Sequence, residues 1–106
     1  MRFLRGFAVA IVARDAEIRV SESGQSFVDV LVEFDQHTGR NGNPYSQRIG
    51  FRSFESVDID QAPALVCGTI IGFEGTVDAV TTERNGRVFA NPRVTGRILQ
   101  VGEVGR

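Results

Sequence analysis

Tryptophan and lysine are missing from this 106-residue chain, and cysteine, histidine, methionine and tyrosine each occur once. A single cysteine, Cys67, cannot close an intrachain disulfide, and one His37 without thiol or imidazole company supplies no metal-ligand set. Cys67 reads as a small buried hydrophobe. With so few nucleophiles and bases, and no phosphate-loop glycine pattern, no arrangement for acid, base or covalent catalysis can be assembled. The chain is therefore expected to be no enzyme and to carry no cofactor. No apolar run approaches the roughly 18 residues of a membrane span, and Arg2 and Arg5 interrupt the N-terminal apolar residues too early for a secretion signal. A cytoplasmic location without a membrane partner is expected. An excess of positive charge is also absent: twelve basic residues, all arginine, face thirteen acidic ones for a net charge of −1. No global field draws in a polyanion, so nucleic-acid binding would need a local patch.

What the chain does have is period-two alternation with almost no helical pattern. Residues 3–13 read as a first strand that resumes at Ile18 to Val20 after a bend at Asp15. In the next strand Val28, Val30, Val32 and Phe34 alternate with Asp29, Leu31 and Glu33, which turns the even positions toward a core. Residues 35–44 are dense in turn formers and read as a long hairpin loop. A third strand over 45–54 places Ile49 and Phe51 on one face and Ser46, Arg48, Gly50 and Arg52 on the other. Residues 55–66 form the only plausible helix, a short one weakened by Pro63. A long fourth strand over 69–82, an Asn85-Gly86 turn and a fifth strand over 87–101 complete the chain. Five strands with a small helix between the third and fourth is the order of an all-β, five-stranded OB-fold barrel, here one domain over residues 1–106.

The run Arg14-Asp15-Ala16-Glu17-Ile18-Arg19-Val20-Ser21-Glu22-Ser23-Gly24, leading into the strand from Ser26 to Phe34, resembles the first hairpin of bacterial single-stranded DNA-binding proteins, with Ala16 where that family has proline. Gly68-Thr69-Ile70-Ile71-Gly72-Phe73-Glu74-Gly75 is similar to the opening of the family's fourth strand. Asn85-Gly86 is similar to its last hairpin turn, Ile98-Leu99-Gln100-Val101 to the close of its fifth strand, and Arg48 to a common third-strand arginine. The resemblance implies an OB-fold that holds single-stranded DNA through aromatic rings and basic side chains on its outer face, in replication, recombination or repair. It also implies self-association, as a homodimer or homotetramer, through the first strand with Leu4, Phe7, Val9 and Ile11.

Several family features are absent. Ser46 and Arg52 stand where the third strand usually carries outward aromatics, and Thr82 where another is usual near the tip of the fourth. Thr76, Asp78 and Val80 replace alternating basic residues. The chain stops at Arg106 directly after the last strand, so recruitment through an acidic tail is not expected, and the sequence resembles minimal phage or mobile-element forms or the primosomal replication protein. The remaining candidate site comprises Arg48 and Arg52, about 13 Å apart at roughly 3.3 Å per residue, with Tyr45 and Phe54 as stacking rings and Arg40, Arg84 and Arg87 as arms. Phe54 serves equally well as a cap on the core, Tyr45 as a pin for the loop, and the arginines as solvated surface. A protein-interaction or primosome-like module with weak or no nucleic-acid binding is the alternative reading.

Overall fold

The computed structural model describes residues 4–34, 37–38, 42, 44–45 and 47–104. Its strands are β1 (Leu4–Val12), β2 (Glu17–Val20), β3 (Ser26–Glu33), β4 (His37–Thr38), β5 (Pro44–Tyr45), β6 (Arg48–Ser53), β7 (Thr69–Arg84) and β8 (Arg87–Val104). One helix, α1 (Ser56–Asp60), and a 3-10 turn over Ala62–Ala64 join β6 to β7. The main sheet runs β1-β7-β8-β6-β3-β2, and a further β1–β3 pairing closes five of its strands into a ring. All neighbours are antiparallel except β6 and β8. This is the barrel the alternation pattern anticipates.

Closure depends on β1, whose residues Leu4 to Ile11 pair with β7 while Ile11 and Val12 reach β3. After the bend, β2 continues along the same edge of β3, from Glu17 opposite Asp29 to Val20 opposite Ser26. The bend is held by the later chain. The Cys67 N–H donates to the Asp15 carboxylate at 2.9 Å and the Ala16 N–H to the Leu65 carbonyl at 2.9 Å. Asp15 in the Arg14-Asp15 motif is thus a fastener between the first strand and the segment leading to β7. Cys67 corrects the sequence reading: it is exposed, with its Sγ 3.3 Å from the Ala13 carbonyl, because after the buried Leu65 the chain returns to the surface at Val66 and Cys67.

Val28, Val30 and Val32 are fully buried, as their even spacing requires, and pack with Val12, Phe51, Leu65, Ile71 and Phe73. The Phe51 and Phe73 rings stand 4.7 Å apart in a tilted pair. Pro63 divides the expected 55–66 helix: α1 lasts five residues and the chain tightens into the 3-10 turn. A buried carboxylate anchors this plug. Asp58 Oδ2 accepts the Ser53 hydroxyl at 2.6 Å and the Ile98 N–H at 3.0 Å, tying α1 to β6 and β8.

Elsewhere the elements differ at their ends. The third strand begins at Arg48 rather than 45, since Pro44–Tyr45 pairs with His37–Thr38 in a separate two-stranded ladder within the expected loop. β7 and β8 run on as a ribbon to Arg84 and Arg87 around a two-residue turn, with Asn85 at φ 54° and Gly86 at φ 76°. Both left-handed values are those of a type I′ turn. At Gly75 and Gly96 the strands cross so closely that a Cβ on Gly96 would fall on the Glu74 carbonyl oxygen.

Candidate nucleic-acid interface

The alternation that buries Val28, Val30 and Phe51 turns Phe27, Asp29, Arg48, Gly50 and Arg52 outward on adjacent strands. Antiparallel register sets Asp29 opposite Arg52 and Glu33 opposite Arg48, while the parallel pairing with β8 sets Arg52 beside Thr95 and Gly50 beside Arg93. Phe54, the next outward position after Arg52, leaves the strand there. Its ring meets that of Phe27 at 5.2 Å, tilted by 46°.

Arg52 lies over this pair of rings. Its guanidinium carbon is 5.2 Å from the Phe54 centroid and 5.6 Å from that of Phe27, within cation–π range. Its Nε donates to Thr95 Oγ1 at 3.0 Å, which fixes the plane of the group. Partial burial, and then repulsion from Arg93, lower its pKa, yet a guanidinium stays charged at any physiological pH. The result is a flat, cationic, aromatic-backed surface at the floor of an open groove of about 860 Å³. One wall is the β2–β3 turn over Ser21 to Ser23, and Arg19 and Arg93 stand at the sides. Planar groups stack on such a surface, and anions meet its positive edge.

Several other cations of the outer surface are already engaged. Arg93 makes a fork on Asp78, with Nη2–Oδ2 at 2.9 Å. Arg19 contacts Asp29 at 3.0 Å and Glu17 at 2.7 Å, Arg48 lies 3.8 Å from Glu33, and Arg97 and Arg5 share Glu74. Among the described residues no such pair holds Arg52, Arg84 or Arg87.

The β7–β8 ribbon extends the same face. Directly opposed residues share a side of a ladder, and the register runs Asp78–Arg93, Val80–Asn91, Thr82–Phe89 and Arg84–Arg87 without a shift. Thr82, Arg84, Phe89 and Asn91 line one shallow pocket of about 260 Å³. The aromatic missing at Thr82 therefore has a counterpart directly across the ladder, at Phe89.

Of the residues named from sequence, Arg52 and Phe54 come together in the groove, and Arg84 and Arg87 stand together at the ribbon tip. Arg48 shares the outward face but lines a separate hollow with Phe34, Ile49 and Pro92. Arg40 and the ring of Tyr45 lie outside the described part of the structure. Phe27, Phe89, Arg19 and Arg93 join the site only with the structure in hand. Phe27 is legible in the sequence, since an odd position in a strand with buried even positions must face outward. Phe89 and Arg93 need the β7–β8 register, which no short-range pattern supplies.

The sequence matches no protein-family model and no curated protein sequence. Solved structures do match. A Plasmodium falciparum single-stranded DNA-binding protein, described in complex with single-stranded DNA, superposes with a TM-score of 0.67 at 9% identity over 92% of this chain and 89% of that one. The fold is that of the single-stranded DNA-binding proteins. The small single-stranded DNA-binding protein from Streptomyces coelicolor gives a TM-score of 0.67 at 15% identity, covering 96% of this chain and 94% of its own. A deletion mutant of the Thermus aquaticus protein gives 0.62 at 18%, over 93% of this chain and 52% of that one. At such identities the likeness concerns the path of the backbone, and the side chains of the groove belong to this chain.

Proposed function

We propose that this protein binds single-stranded DNA without strong sequence preference and serves in replication, recombination or repair. The observation that carries the reading is the Phe27–Arg52–Phe54 cluster on the floor of an open groove, in the fold of proteins described as binding single strands. A base stacks against the cluster, its phosphate meets the Arg52 edge, and the strand continues toward Phe89, Arg84 and Arg87 on the ribbon. Every base offers a π-face, so the site tolerates sequence. A duplex hides those faces and binds much more weakly.

The same protein is proposed to act as a homodimer or homotetramer through β1. Phe7, Val9 and Ile11 are 83%, 70% and 43% exposed in a row on the outer side of that strand, with Ile70 beside Ile11. An apolar strand of this kind is a poor surface to leave in water.

Titration of fluorescein-labelled oligo-dT by anisotropy tests the binding reading. Arg52, Arg84 and Arg87, which stand outside the ion pairs of the described residues, give an expected log–log salt slope of about −2 per protomer, at roughly −0.7 for each phosphate neutralised. No binding at low salt, or equal affinity for a duplex of the same length, contradicts it. The pairing of Arg19, Arg48 and Arg93 with carboxylates favours the second reading, a protein-interaction module, and that reading takes over if no oligonucleotide binds.

A further inference from the structure

The groove holds an arginine that faces the expected path of the strand and is nevertheless occupied. Arg93 lines the groove beside Arg52, and both its Nε and Nη2 donate to Asp78, to Oδ1 at 3.4 Å and to Oδ2 at 2.9 Å. The two side chains are only 29% and 17% exposed, so water screens the pair weakly. Across the parallel ladder from Arg93 stands Gly50, whose missing side chain leaves open space on the outward face. A phosphate can reach Arg93 over Gly50, but it meets a guanidinium fork already filled by an anion of similar geometry. The strands do not depend on the pair to stay joined. Backbone pairing between β7 and β8 continues unbroken on both sides of it, from Phe73 to Arg84.

We propose that Asp78 sets how tightly a single strand is held, by competing with DNA phosphate for Arg93. The inference rests on the single-strand reading above. A phosphate that takes Arg93 displaces a carboxylate of like charge, so the exchange adds little to affinity, and the strand is held mainly by stacking and by Arg52. Arg19 is held in the same way by Asp29 on one side and Glu17 on the other, so removing Asp29 alone leaves it engaged. The arrangement keeps binding weak enough for release, in a fold whose outer face has arginines enough for tighter binding.

The test is an anisotropy titration of labelled oligo-dT with the native chain, Asp78→Asn, Arg93→Ala and the double variant, folding being checked by thermal unfolding. Neutralising one more phosphate, at a slope of roughly −0.7, corresponds to about a tenfold rise in affinity at roughly 50 mM salt. Asp78→Asn is expected to show that rise, with a salt slope steeper by about 0.7. Arg93→Ala is expected to weaken binding several-fold, since it leaves the Asp78 carboxylate unpaired beside the phosphates of the strand. In the double variant the rise over Arg93→Ala is expected to stay well below roughly tenfold and without a steeper salt slope, because Asp78 acts through Arg93, whereas a general change of charge would raise affinity equally in both backgrounds. Asp29→Asn should strengthen binding less than Asp78→Asn. Binding that is unchanged or weakened in Asp78→Asn, or a rise that survives in full in the double variant, overturns the inference and leaves the single-strand reading standing. Absence of binding by every form overturns both.

Discussion

Arg52 shows how one substitution against a family pattern acquires meaning from its neighbours. The resemblance expects an aromatic at its position, and a guanidinium there would be a simple loss if it pointed freely into water. Instead Thr95 fixes its plane and two phenyl rings back it, so it offers both a stacking surface and a charge. Arg52→Ala is expected to weaken oligo-dT binding by about 1 to 2 kcal/mol, since stacking contributes roughly 1 to 3 kcal/mol per base. Arg52→Phe should retain affinity with a shallower salt dependence, and both variants should unfold near the native temperature. Asp58 gives the opposite profile. Its carboxylate is buried and accepts from Ser53 and Ile98, so Asp58→Ala strands one buried and one part-buried donor and is expected to cost about 2 to 4 kcal/mol in urea unfolding. An Asp58→Ala variant as stable as the native chain would show that α1 is not secured by this carboxylate. The role of Arg52 can be approached from sequence because alternation fixes which way it points. That of Asp58 cannot, since its partners lie on two other elements.

At the scale of elements, legibility follows the range of the interactions. Strands β1 and β3 and the first half of β7 are readable because each has one buried side and the period shows directly, and the Asn85-Gly86 turn because only a few residue types adopt its left-handed angles. Helix α1 is shorter than its sequence suggests, because Pro63 acts one turn before its own position by removing a donor and crowding the preceding backbone. The third strand starts later than its composition suggests, since Tyr45 reads as its first residue but, with Pro44, pairs locally with His37–Thr38. The β7–β8 ribbon is where the structure adds most to the candidate site. Opposition of Thr82 and Phe89 places an aromatic on the face where β7 alone offers none. Phe89→Ala is expected to lower affinity for long oligo-dT by about 1 kcal/mol or more, and to matter little for an oligonucleotide too short to span from the groove to the ribbon. Equal losses for both lengths would remove the ribbon from the path.

For the whole molecule, a net charge of −1 and an outer face of matched ion pairs describe a protein without a strong attracting field. On the proposed reading, binding depends on shape and stacking, and on presenting more than one site to a long strand, which would link it to self-association. Sedimentation at micromolar concentration is expected to give a dimer or tetramer, and Val9→Glu, in the middle of the exposed β1 row, to give the 11.6 kDa monomer. A native chain that sediments only as a monomer contradicts this. The central claim is that a single strand lies along the outer face from the Phe27–Arg52–Phe54 groove to Phe89. Ultraviolet crosslinking of oligo-dT to the native protein, with the modified peptides located by mass spectrometry, tests it most directly. Crosslinks at Phe27, Phe54 and Phe89 are the result the account predicts, and crosslinks confined to other surfaces, such as Phe7 on β1, would contradict it.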